Sequence, residues 1–391
     1  MAEVPVPECL LKPLYVPRKL LMGPGPSNAS PRILAAGALP LLGHLHPEFI
    51  AIMDEVKKGI QYAFQTKNEV TLAVSGTGHA AMETAACNLI EPKDVVLSVC
   101  TGIWGERFAD MAERQGAKVV KITKEQGQVF SNQELEQALR RIQPTVMFVT
   151  HGESSSATCQ PVNDLGILCH KYGCILIVDC VASLGAVPMY MDKWGIDVLY
   201  TGAQKVLSVS PGASPISFSE RAWKKTQSRT KRVTSFYFDM TGLANYWGCD
   251  GQPRKYHHTG PISSIYGLRE GLATLAEEGL EQSWKRHAQC ADMLYRGIEE
   301  MNLRFLVENK EFRLPTVTAV LVPAGVQWKN VSNYVMEKYR VELAGGLGLS
   351  AGKVWRIGLM GYNATPDNIR LLLRALREGI TTEQTRIPSR L

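Results

Sequence analysis

The chain predicts an α/β protein built on a mostly parallel sheet, and three observations carry that prediction. Residues 71–75, 95–100, 145–150, 174–179 and 198–200 are short apolar runs with the length and composition of strands buried on both faces. Between several of them lie segments with apolar residues at helical spacing, the alternation that builds βαβ units. Each run empties into glycine or polar residues, at the carboxyl ends where open α/β sheets bind ligands.

Length and composition bound the rest. A chain of 391 residues exceeds what one hydrophobic core usually supports, so two domains are expected. With 45% hydrophobic and 20% charged residues it has an ordinary globular composition. The longest apolar stretch, residues 174–191, contains Asp179 and Gly185, so no segment reads as membrane-spanning. Nine cysteines without a C-x-x-C pair predict reduced thiols in an intracellular compartment rather than disulfides or cysteine-bound zinc. Net charge is only +6, and the dense basic run at 221–232 carries no aromatic beyond Trp223. It reads as a solvated face, and no nucleic-acid partner is expected.

Residues 1–19 contain Glu3, Glu8 and four prolines and read as an extended arm, neither a signal peptide nor an amphipathic presequence. Met22-Gly23-Pro24-Gly25-Pro26-Ser27-Asn28 follows as a rigid turn able to wall a small-ligand site. Gly43-His44-Leu45-His46 lacks a third ligand at a recognisable spacing, so no metal is expected. A helix is expected over residues 48–64, where Ile52, Val56, Ile60 and Ala63 keep helical spacing.

The strand at 71–75 enters Gly76-Thr77-Gly78-His79-Ala80-Ala81-Met82, which opens a helix reaching about residue 89. Glycines at such a turn expose backbone N–H groups at a helix amino end, which is a phosphate cradle. The run also matches G-x-G-x-x-A, but the next strand ends in Cys100-Thr101-Gly102 rather than in the acid that would hold a ribose. A lone phosphate therefore suits it better than a dinucleotide. In the following helix Trp104 shares a face with Phe108 and Met111. Its indole reads either as core or as a platform for a flat heteroaromatic ring. The strand at 145–150 empties into His151-Gly152-Glu153-Ser154-Ser155-Ser156, where Ser154 can hydrogen-bond a phenolic oxygen, or the segment is a plain serine-rich turn. The strand, polar loop, helix alternation is expected to repeat through Asp179 and Lys205.

Asp179 and Lys205 follow two strands that, lying side by side, place a carboxylate and an amine in one crevice. A desolvated lysine loses its proton more readily and becomes a nucleophile toward carbonyls. Pyridoxal phosphate is the cofactor that asks for this pair, an amine for its aldehyde and an acid for its pyridine nitrogen. The plainer reading is a surface lysine and a capping aspartate.

Tyr256-His257-His258-Thr259 reads as a loop, followed by helical pattern over 261–301. The chain then turns α+β, with strands at 316–322 and 353–360 about a helix at 331–339. This is the second domain, giving boundaries of 20–280 and 281–391. In its last strand Arg356 alternates with Trp355 and Ile357, so it either faces solvent or clamps a substrate carboxylate. The final Ser389-Arg390-Leu391 is a variant of the Ser-Lys-Leu peroxisomal address, with cytoplasm the alternative location.

Taken together, M-G-P-G-P-S-N, S-G-T-G-H, T-H-G-E-S-S, V-D-C-V-A-S-L-G, T-G-A-Q-K-V-L, Y-W-G-C, Y-H-H-T and W-R-I-G-L-M-G closely resemble the alanine-glyoxylate aminotransferases. These are class V pyridoxal-phosphate transaminases, a group that includes serine-pyruvate and 3-hydroxykynurenine transaminases. The resemblance implies fold type I and a homodimer with shared active sites. It also implies an arm lying across the neighbour. It makes Lys205 the Schiff-base lysine, Asp179 the pyridine-nitrogen partner and Trp104 the stacking ring, with Ser154 near the cofactor hydroxyl. Thr77, Gly78, His79 and Gln204 would hold the phosphate, joined by Tyr256 and Thr259 from the other subunit. Arg356 would bind the substrate carboxylate, with Gly43 and His44 lining the site from the partner. The implied reaction moves nitrogen from alanine or serine to glyoxylate, with a kynurenine donor as the alternative.

Two stretches depart from the family: Ser155-Ser156-Ala157 where Ser-Thr-Gly is common, and Ser208-Val209-Ser210-Pro211 where two prolines often adjoin. A cysteine desulfurase is disfavoured because no cysteine lies in a Gly/Ser-rich loop near Arg356. A retained but inactive scaffold is disfavoured by the intact Lys205 and Asp179. A nicotinamide dehydrogenase is disfavoured by the missing ribose acid.

Overall fold

The computed structural model describes residues 3–386, so the Ser389-Arg390-Leu391 address lies outside the described residues. The arm is exposed and makes one 3₁₀ turn at Glu8–Leu11. Two helices follow, α1 (Pro31–Gly37) and α2 (Pro47–Phe64), the second burying Phe49, Met53, Val56 and Ile60 on one stripe. The sheet region then runs β1 (Val70–Gly76), α3 (Gly78–Leu89), β2 (Val95–Cys100), α4 (Ile103–Arg114), β3 (Lys118–Thr123), α5 (Asn132–Ile142) and β4 (Val146–Thr150). It continues through the small hairpin β5 (Gly152–Glu153) and β6 (Thr158–Cys159), α6 (Leu165–Lys171), β7 (Ile175–Asp179), β8 (Val198–Tyr200) and β9 (Gly212–Phe218).

Seven strands form one sheet in the order β1-β9-β8-β7-β4-β2-β3. All pairs among β8, β7, β4, β2 and β3 are parallel, and only β9 runs the other way, between β1 and β8. Every residue of β4, β7 and β8 is buried, as expected of strands covered on both faces. The predicted alternation fails after β7 and again after β8, where residues 201–211 reach β9 through turns with no helix. Residues 181–195, between β7 and β8, form turns rather than a helix, since Gly185 and Gly195 take φ of +79° and +67° and Pro188 lies between them.

After β9 come α7 (Glu220–Gln227), α8 (Met240–Tyr246), α9 (Ile262–Glu278) and α10 (Leu280–Glu300), the last two parted by Gly279. The chain closes with β10 (Val317–Leu321), α11 (Trp328–Tyr339), β11 (Ala344–Gly345), β12 (Val354–Gly358) and α12 (Pro366–Arg386). Here the strands form a separate antiparallel sheet in the order β10-β12-β11.

One large core surrounds the seven-stranded sheet, and a second gathers Leu294, Trp355, Ile357, Leu372 and Leu376 near the carboxyl end. Met22 belongs to the second core. Leu20 donates to the carbonyl of Arg340 (2.8 Å) and accepts from Glu342 (2.8 Å), while Gly358 donates to Met22 (2.8 Å). The start of the chain is thereby stitched to its end. Among the described residues no helix is long and apolar enough to cross a membrane, and no cluster of three or more His, Cys, Asp or Glu side chains could hold a metal. His46 Nδ1 instead accepts the amide of Gly43 at 3.1 Å.

Candidate active site

The carboxyl ends of β4, β7 and β8, with the amino end of α3, wall a cleft that opens to solvent. Its lining includes Gly78, His79, Trp104, Ser154, Asp179, Gln204 and Lys205, seven of the residues expected from the sequence. Parallel pairing of β7 with β8 sets Asp179 beside Tyr200 in register, which is why the acid and the lysine loop share one wall.

Asp179 accepts the Val181 amide at 2.8 Å and the Tyr200 hydroxyl at 2.9 Å, so its carboxylate is fixed in place. Burial pushes its carboxyl up to about 6 against the pull of those donors and of Lys205. A cation placed against it would lower that value. Burial also brings the Lys205 ammonium down to about 8, with Arg356 adding repulsion and Asp179 opposing it. The Lys205 amine donates to the carbonyl of Pro24. The loop behind it is close. A Cβ on Gly25, whose φ is +104°, would lie 2.4 Å from Lys205 Nζ. Ser27 locks the same loop down, donating its amide to Gln204 O (2.9 Å) and its hydroxyl to Lys205 O (2.8 Å).

Trp104 stands at the cleft with its indole N–H donated to Ser154 Oγ at 3.0 Å and the His79 ring edge-on at 5.5 Å. It is half-buried, packs against the large core and also lines the cleft. Thr77 precedes α3 without capping it through its side chain, leaving the first amides of that helix available to an anion. Among the described residues, Gln204 Oε1 is buried without a partner. Amine, fixed carboxylate, aromatic platform and uncapped helix end together fit pyridoxal 5'-phosphate in their chemistry.

Arg356 is buried rather than solvent-facing. Pairing of β12 with both β10 and β11 puts it mid-sheet, where it donates from Nε to Gly345 O (2.8 Å) and from Nη1 to Ser154 O (3.1 Å). Burial lowers its pKa from the usual value while Glu153 and Glu342 hold it up.

Six expected residues are outside that lining: Thr77 and Arg356, whose places are given above, and four that gather elsewhere. Tyr256 and Thr259 are exposed and hydrogen-bond each other at 3.3 Å. The His44 ring lies 4.8 Å from that of Tyr256, with Gly43 beside it. They form a separate surface cluster.

Sequence reasoning passed over Tyr200, Glu342 and Glu153. Tyr200 is detectable in principle, since it ends the strand next to that of Asp179. Glu342 accepts the Gly23 amide at 3.3 Å, a pairing that chain order hides. Glu153 is fully buried, and nothing in its neighbours announces that.

The chain matches the family model described as Aminotransferase class-V over residues 36–372. It is 53% identical to alanine–glyoxylate aminotransferase of Callithrix jacchus, covering 96% of this chain and 90% of that one. The identity to the alanine–glyoxylate aminotransferase of Drosophila melanogaster is 49%, over 98% of this chain and 97% of that one. Among solved structures, the alanine–glyoxylate aminotransferase of Nostoc sp. superposes with a TM-score of 0.93 at 44% identity, covering 96% of this chain and all of that one.

Proposed function

Since the chain belongs to the class-V aminotransferases, we propose that it moves an amino group from alanine, or serine, to glyoxylate, giving pyruvate and glycine. The chain is an aminotransferase whose cofactor is pyridoxal 5'-phosphate. The observation that carries the residue assignments is the meeting of Lys205 and Asp179 in one cleft. When bound, the cofactor supplies an aldehyde and a protonated ring that draws electrons from the substrate's α-carbon. Asp179 would hold that ring proton by charge, steadied by Tyr200 and Val181. Trp104 would cover the ring, Ser154 would lie near its hydroxyl, and Thr77, Gly78, His79 and Gln204 would receive the phosphate.

Lys205 Nζ, once free, carries the proton at the α-carbon as general base and then as acid. Its lowered pKa suits that double task near neutral pH. Arg356 orients the substrate by its carboxylate: Nε and Nη1 are held by carbonyls, and Nη2 makes no hydrogen bond among the described residues. A fork fixed on two sides presents its third nitrogen with little entropy left to lose.

The proposal includes a homodimer. Tyr256, Thr259, His44 and Gly43 cluster on the surface away from their own cleft, and the arm exposes Val4, Leu10, Leu11, Leu14 and Tyr15, which supports contacts to a second copy. Peroxisomal import through Ser389-Arg390-Leu391 belongs to the same proposal and rests on those three residues; a fluorescent fusion that stays peroxisomal without them would remove it.

The test is a panel of amino donors with glyoxylate as acceptor, run beside borohydride reduction of the holoenzyme. Alanine and serine are expected to turn over, the cofactor to become fixed to Lys205, and Lys205→Ala to lose turnover. Inactivity toward glyoxylate, or label on another residue, would overturn the assignment.

A further inference from the structure

Glu153 is a fully buried carboxylate on β5 to which the reaction assigns no task. Its Oε1 accepts the amide and hydroxyl of Ser155 at 2.9 and 2.6 Å, and its Oε2 accepts the backbone N–H of Trp104 at 3.2 Å. Ser155 Oγ in turn accepts the amide of Ile103 at 3.1 Å. Gly102, at the amino end of α4, caps the helix with no side chain of its own. A Cβ there would come within 2.3 Å of Glu153 Cδ. The first amides of α4 are therefore capped from a different strand, in space that only glycine leaves open.

The next residue, Ser154, holds the indole N–H of the same tryptophan. Trp104 is thus tied twice, by backbone to Glu153 and by ring to Ser154, and a shift at one tie is resisted by the other. Burying a whole carboxylate is expensive, and a cap alone is ordinarily supplied by an exposed serine or aspartate.

We propose that Glu153 is a positioning residue that sets the plane of the Trp104 indole against the cofactor ring, and through it the affinity of the cleft for pyridoxal 5'-phosphate. This rests on the cofactor assignment above. Glu153→Gln keeps the volume and turns one acceptor into a donor that must face either the Trp104 amide or Ser155. Losing one buried hydrogen bond from the bound geometry corresponds to about a tenfold weaker complex.

The experiment titrates apoenzyme with pyridoxal 5'-phosphate, following tryptophan quenching and the circular dichroism induced in the bound cofactor, and measures kcat at saturating cofactor. Glu153→Gln is expected to raise the Kd about tenfold and change the induced dichroism, with kcat within about threefold of wild type. Kd and dichroism both within twofold of wild type would overturn the proposal, whatever the melting temperature does. Ser155→Ala, which removes no charge, is judged by the same two readouts and decides the matter if the glutamine variant does not fold. Wild-type protein that takes up no cofactor would sink the cofactor assignment and this proposal together; equal binding by wild type and variant would sink this proposal alone.

Discussion

At Lys205 burial and one close neighbour, Gly25, decide what the amine does. Burial favours its neutral form, so the fraction able to attack a carbonyl grows as pH rises toward about 8 and then saturates. Reductive capture of apoenzyme by the cofactor should accelerate about tenfold per pH unit below that value and level off above it, where an unperturbed lysine would keep accelerating to about 10.4. Gly25 is the second influence. Gly25→Ala sets a methyl group on the amine and strains a positive φ, so kcat/KM should fall about 100-fold or more, from displacement alone. Near-normal turnover would mean that the loop yields. Lys205 and Asp179 were legible because each follows a short apolar run, and strand ends are where a parallel sheet offers its side chains. Glu153 was not, because the tryptophan it holds, Trp104, lies about fifty positions upstream. Ala157 takes φ +62°, at the position where the family commonly has glycine, so that departure places a side chain in left-handed backbone.

Among the elements, α10 holds the loop that follows β12. His287 is fully buried, donates from Nδ1 to Ser283 O at 2.7 Å and accepts the Gly361 amide on Nε2 at 3.0 Å. Burial, with help from Arg286, brings its pKa down to about 4. The folded protein therefore binds this proton less readily than the unfolded chain, so the stabilisation is complete above about pH 6.5 and is lost as pH falls toward 4. The contribution is roughly 3 kcal/mol, and thermal melts of His287→Gln should show a shallower acid decline than wild type. A parallel decline would contradict this. Seven of the twelve described strands were legible; β3, the two-residue β5, β6 and β11, and β9 were not. The β9 sequence, Gly-Ala-Ser-Pro-Ile-Ser-Phe, breaks the apolar run with small polar residues and puts Pro215 into an interior strand. Only pairing to β1 and β8 makes it a strand. The turns at 181–195 break the expected alternation, since Gly185, Pro188 and Gly195 interrupt the segment.

For the molecule as a whole, Tyr256 and Thr259 lie on an exposed loop whose sequence carries no physical mark of a partner, and their role came from resemblance alone. Mixing Lys205→Ala protein with Tyr256→Ala protein tests the proposed sharing. If a site takes its lysine from one copy and its tyrosine from the other, random re-pairing should restore about a quarter of wild-type sites. No recovery would place both residues in the same chain's site.

The stitching of residues 20–22 to residues 340–342 and 358 carries a consequence for biosynthesis. The loop that roofs the lysine amine hangs from a seam whose other edge leaves the ribosome more than three hundred residues later. Such a distant closure is slow by nature. A nascent chain can therefore complete its sheet and still lack a working catalytic pocket until its last quarter has emerged and paired.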